Sequence, residues 1–145
     1  VFNSWNTATS GTIYHMEFRD GGSATSRGSI TTNGSNTAYN TSSDYRLKEN
    51  VQPMTGALAK VAQLKPCTFT WIESKEEDEG FIAHELQAVL PRAVTGEKDA
   101  VDAEGNPKYQ GIDTSFLVAT LTAAIQEQQA IITDLKARIE TLENK

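Results

Sequence analysis

Val118, Ile125, Ile132 and Ile139 stand seven apart, and Leu121, Gln128, Leu135 and Leu142 repeat that interval three residues further on. Apolar residues at this spacing, β-branched at the first position and mostly leucine at the second, mark a helix that buries one stripe against other helices. From 118 to 142 such a helix is about 37 Å long. No Gly or Pro interrupts the chain from Asp113 onward. An apolar stripe of that length needs partners, either the rest of its own domain or other helices of a coiled coil. The uninterrupted run favours the coiled coil.

The number of strands is less plainly written. Isoleucine at a with leucine at d favours two. The run Arg138-Ile139-Glu140-Thr141-Leu142-Glu143, however, resembles a known trimerisation pattern in which an arginine at g and a glutamate at e bracket the apolar a and d residues and pair between helices, so the two signals conflict.

The opposite end of the chain has another character. Ser, Thr, Asn and Gly supply 25 of residues 1–42, and Glu17, Arg19, Asp20 and Arg27 are the only charges there. Alternating pieces such as "TIYHMEF" and "GSITT", separated by "DGGS" and by Asn33-Gly34, predict short β-strands with tight turns. The apolar residues are too few for these strands to bury a core of their own. The expectation is fibrous β-structure whose strands find partners upstream or in other copies of the chain, which reads as a piece of something longer.

Between these ends the pattern predicts a small α+β domain. Met54, Leu58, Val61 and Ala62 recur at helical spacing after Pro53, and "CTFTWI" reads as a strand. "ESKEEDE" reads as a charged, exposed loop. "GFIAHELQAVLP" predicts a short strand running into a helix that Pro91 stops, and "AVDAEGNPKYQGI" predicts two strands around a Gly105-Asn106-Pro107 turn.

Composition narrows the function. A net charge of −6 with 13 Lys and Arg argues against a nucleic-acid partner, because neutralising a phosphate backbone needs a basic face. No apolar run reaches the roughly 18 to 20 residues that span a bilayer. A single cysteine, Cys67, rules out an internal disulfide framework and predicts a reduced, buried thiol, consistent with folding in a cytoplasm. His84-Glu85 lacks the second histidine of H-E-x-x-H, and the Asp102–Asn106 turn is too short for a calcium loop, so neither a metal nor another cofactor is expected.

Where the composition changes stands "SSDYRLKEN", residues 42–50. Read from its residues alone, this is a solvated linker with Ser43 or Asp44 as a turn former. The other reading is a serine and a lysine placed for chemistry. Ser43-Asp44-Tyr45-Arg46-Leu47-Lys48-Glu49-Asn50-Val51 is followed by a helix, an "F-T-W" strand, Gly80-Phe81-Ile82-Ala83-His84-Glu85-Leu86 with a later proline, and "YQGIDTSFLVATLTAAIQEQ". In order and spacing this set resembles the intramolecular chaperone auto-processing domain at the C-termini of phage tailspikes, tail fibres and endosialidases.

The resemblance covers residues 43–145, with 113–145 as the coiled-coil helix and 1–42 as the last stretch of a β-rich fibre or tailspike. It implies a homotrimer that guides folding of the fibre upstream and then releases itself. Release would be hydrolysis between Ser42 and Ser43, with Ser43 as nucleophile and Lys48 as general base. Asp44 and Arg46 match motif positions suited to holding a turn, Asn50 to positioning the peptide, and His84 to one hydrogen bond. The implied setting is the host cytoplasm during assembly and the virion tail afterwards. An uncut structural or receptor-binding tip is the alternative.

Two physical conditions accompany that chemistry. A lysine acts as a base only when neutral, and moving a lysine from about 10.4 to roughly 7.5 disfavours the ammonium by about 4 kcal/mol, which takes burial or a nearby positive charge. Positions five apart also point away from each other on a regular helix or strand. The chain must bend between Ser43 and Lys48, or the lysine must serve another subunit.

Overall fold

A computed structural model describes residues 11–19 and 25–144, which fall into two compact units, 1–52 and 53–145. In the first unit β1 (Ile13–Arg19), β2 (Ser26–Thr32) and β3 (Thr37–Thr41) form an antiparallel meander in the order β1-β2-β3. The "DGGS" turn lies outside the described residues. The second turn is a four-residue loop in which Asn33 N donates to Asn36 O at 3.2 Å, and Gly34 takes φ 88°, a conformation that side chains disfavour.

The sheet has two unlike faces. On one, Ser29 and Thr31 are buried, and the Asn40 amide donates to both hydroxyls, at 3.2 and 3.0 Å. On the other, Met16 pairs with Ile30 and Ile30 with Tyr39, yet Met16, Phe18 and Tyr39 are exposed. Among the described residues of the unit this apolar face is left open.

The second unit contains α1 (Ala57–Val61), the hairpin β4 (Cys67–Thr70) and β5 (Glu77–Gly80), α2 (Ala83–Val89), the short pair β6 (Val94–Thr95) and β7 (Gly111–Ile112), and α3 (Leu117–Glu143). It is a mixed α+β domain with a long C-terminal helix. One apolar cluster joins Leu86, Ala93, Val94 and Leu117, with Leu64, Phe81, Ala83 and Leu90 against it. A second joins Ala57 to Ala123 and Ala124, with Leu58 and Val61 alongside, so that α1 packs on α3.

Five local expectations need correction. The helix after Pro53 begins only at Ala57, because Gly56 sits at φ 71° and breaks the spacing that included Met54. Part of the charged run is not a loop: Glu77, Asp78 and Glu79 pair with Thr70, Phe69 and Thr68 of β4, after a turn in which Lys75 N donates to Trp71 O at 3.0 Å. The strand expected at Gly80 therefore lies earlier, in the acidic residues. The hairpin around Gly105 shrinks to one bridge, Val101 to Pro107, while Gly111–Ile112 pairs with β6 instead. Cys67 is only half-buried, since the two-stranded sheet offers little cover; its thiol lies 3.7 Å from Gly80 O.

Pro91 does stop α2, opening a 3-10 turn over Pro91–Ala93. The long helix spans its expected range. Asp113 caps the 3-10 turn Thr114–Phe116 that leads into it, accepting from Ser115 N at 2.9 Å. Helix α3 has two separate faces. Leu117, Thr120, Ala123 and Ala124 are buried against the domain, while the heptad residues lie open, Val118 at 62% exposure, Ile125 at 65% and Leu142 at 67%.

Candidate active site

The site is assembled within residues 42–48 of the first unit. The β2–β3 ladder continues one residue past β3, where Ser42 N donates to Arg27 O at 3.1 Å and Ser42 Oγ donates to Ser26 O at 2.6 Å. The acyl side of the Ser42–Ser43 bond is thus fastened to β2. Beyond it the chain turns at once.

Asp44 caps a 3-10 turn over Tyr45–Leu47, and backbone hydrogen bonds from Leu47 N to Asp44 O and from Lys48 N to Tyr45 O close it. Its carboxylate accepts from Arg46 three times, from N and Nε on Oδ1 at 2.9 Å and from Nη2 on Oδ2 at 2.8 Å. This fork-shaped pairing suits the planar guanidinium. It holds the Asp44 carboxyl below the usual range, through the Arg46 side chain first, then the Arg46 backbone N–H, with the Lys48 charge adding to the effect. The same contact raises Arg46.

The single turn has a geometric consequence. Because Ser43 precedes it and Lys48 leaves it in an extended conformation, the two side chains meet on one side, and Lys48 Nζ lies 2.7 Å from Ser43 Oγ. The bend that a spacing of five demands is present within one chain. Nζ donates in this contact, whereas a base must accept, so the lysine has to lose a proton before the pair can react. Both residues are exposed in the single chain. Asn50 closes the segment at φ 52°, in the left-handed region that Asn tolerates better than most residues.

His84 belongs to the second unit, exposed on the first turn of α2. Among the described residues no cluster of His, Cys, Asp and Glu could hold a metal ion, and no helix is long and apolar enough to cross a membrane.

Residues 43–95 match the peptidase family described as chaperone of endosialidase, and the match starts at Ser43 itself. This segment belongs to the chaperone-of-endosialidase family. The long tail fibre protein Gp37 of Enterobacteria phage K3 is 33% identical over 108 residues, covering 71% of this chain and 8% of that protein. Gp37 of Enterobacteria phage T2 is 33% identical over the same length, 7% of that protein. The chain therefore spans less than a tenth of these relatives.

Two features were not anticipated from the sequence. One is the Ser42 anchor on β2. The other is Glu127, whose carboxylate reaches from α3 to the start of α1 and accepts from Ala57 N at 3.0 Å and Leu58 N at 2.8 Å. These amides of Leu58 and Ala57 hold the Glu127 carboxyl below its ordinary value. A signal existed: Glu127 is the only charged residue between Asp113 and Asp134.

Proposed function

We propose that residues 43–145 are a C-terminal intramolecular chaperone that trimerises through α3, guides folding of a phage tail fibre or tailspike, and releases itself by autoproteolysis between Ser42 and Ser43. The observation that carries the reading is the 2.7 Å contact between Lys48 Nζ and Ser43 Oγ, formed across a locked turn beside a peptide bond fastened to a strand. Family membership of residues 43–95 and the likeness to tail fibre proteins support the setting, in which the chain meets the host cytoplasm during assembly and the virion tail afterwards.

The chemistry follows from the groups present. Ser43 Oγ passes its proton to neutral Lys48 Nζ and adds to the Ser42 carbonyl carbon, while backbone amides stabilise the oxyanion. The C–N bond then breaks as the lysine returns the proton to the Ser43 nitrogen, leaving an ester between the Ser42 acyl group and Ser43 Oγ. Water hydrolyses that ester, freeing a Ser42 carboxylate and a Ser43 with its own amine and hydroxyl. Each chain turns over once.

Burial of the lysine is the step that ties chemistry to assembly. In the single chain Lys48 is exposed to solvent. Packing of three copies around the site supplies the desolvation that makes it a base. Cleavage then reports correct folding. The exposure of Lys48 also gives the uncut structural tip its standing as the second reading.

The experiment uses Ser43→Ala and Lys48→Arg in the full chain, with the unchanged chain as control. Serine removal leaves no nucleophile, and an arginine stays protonated, so both variants are expected to stay intact by mass while the control cuts. Cutting at normal rate in either variant overturns the dyad.

A further inference from the structure

We infer that Gln128 sets the register of the α3 seam, through a ring of three carboxamides at one level of a parallel bundle of three copies of this chain. The inference rests on the trimer proposed above. Gln128 is the one polar residue among the eight a and d positions between 118 and 142. It also stands where the helix leaves its domain. The neighbouring Glu127 accepts from the start of α1, and residues 129–144 are all exposed. Gln129 turns along its own helix to Thr133 at 3.3 Å, whereas the Gln128 carboxamide has no partner among the described residues of its own chain.

An otherwise apolar seam can slip by a heptad and still bring Ile against Ile and Leu against Leu. A carboxamide cannot slip so freely. In register, each Gln128 donates from its NH2 to the oxygen of the next around the axis. Slipped by seven, it lies beside Leu121 or Leu135, and in an antiparallel pair about the middle of the seam it faces Ile132. Each unpartnered carboxamide then biases the register by on the order of ten- to a hundredfold.

Charge on the flanks of the seam points to the same arrangement. Arg138 at g meets Glu143 at e of the neighbouring helix when three parallel copies are in register. After a slip of one heptad it meets Lys136, a like charge. The occupants of the open seam are therefore two further copies of this chain, aligned level by level.

The test places one spin label at Ala137→Cys, on the outer face of α3, in full-length chain carrying Cys67→Ser. Pulsed electron resonance reads the distances between copies, and light scattering reads the mass. The parent is expected to be a trimer with one narrow distance. Gln128→Leu is expected to remain trimeric but to add distances from copies displaced along the axis by about 10 Å, the rise of seven helical residues. Gln128→Asn, which keeps a donor and an acceptor, is expected to retain the single distance. An unchanged narrow distance in the Gln128→Leu trimer overturns the register role, as does equal broadening in Gln128→Asn. A parent that is not a trimer overturns the assembly reading itself, and is recognised by mass before any distance is read.

Discussion

Replacing Ile132 and Leu135 together by aspartate separates the stability of the single chain from that of the assembly. In the single chain these side chains are 43% and 47% exposed, on a part of α3 C-terminal to the Glu127 contact with α1. The substitutions there cost little more than the lower helix propensity of aspartate, up to about 0.7 kcal/mol per residue. In a trimer the same changes put six carboxylates into the core. Each unpaired buried charge costs several kcal/mol, so the total is on the order of 20 kcal/mol, in addition to about 2 kcal/mol lost with each apolar side chain. Assembly has no reserve of that size in a seam of eight positions. The double variant should therefore be a folded monomer by light scattering and circular dichroism, and should stay intact by mass, because nothing then buries Lys48. A monomer that still cuts between Ser42 and Ser43 would show that one chain completes the site. A variant that stays trimeric would refute α3 as the contact.

Asp44→Asn keeps an acceptor for the Arg46 backbone but removes the charge from the fork, and should slow cutting by roughly ten- to a hundredfold through a looser turn, read from a time course of intact mass. Unchanged kinetics would mean the fork does not position the pair. Leu86→Ala empties the largest fully buried side chain among the described residues of the second unit, at 2% exposure, and should lower its unfolding free energy by about 2–5 kcal/mol in urea. A loss below about 1 kcal/mol would contradict the packing described. Glu127 has a depressed folded pKa, so its contribution is present above the ordinary value of 4.5 and is lost as pH falls through the folded value. Glu127→Gln should accordingly melt earlier than the parent at pH 7, with the gap narrowing below pH 4.5; a gap independent of pH would argue against the carboxylate as the cap.

What the sequence discloses depends on how far apart the partners lie. The heptad positions of α3 were legible because their spacing is a property of one continuous helix, as were the strands around Asn33-Gly34. The acidic strand at Glu77–Gly80 was not, because its charges suit a loop and only pairing with Cys67–Thr70 makes it a strand. Gly56 was visible, but not its left-handed conformation, which costs α1 its first turn. At the site, the distance of five between Ser43 and Lys48 demanded a bend, and the 3-10 turn capped by Asp44 is that bend. The Glu127 cap joins residues about seventy apart, and the isolated charge of Glu127 marks one partner but not the other.

The most direct test of the central claim is the mass of the chain in each fraction of a freshly purified sample separated by size. The account predicts that the trimer fraction holds two fragments, ending at Ser42 and beginning at Ser43, and that monomer holds the intact 15.8 kDa chain. Trimer made only of intact chains would contradict it.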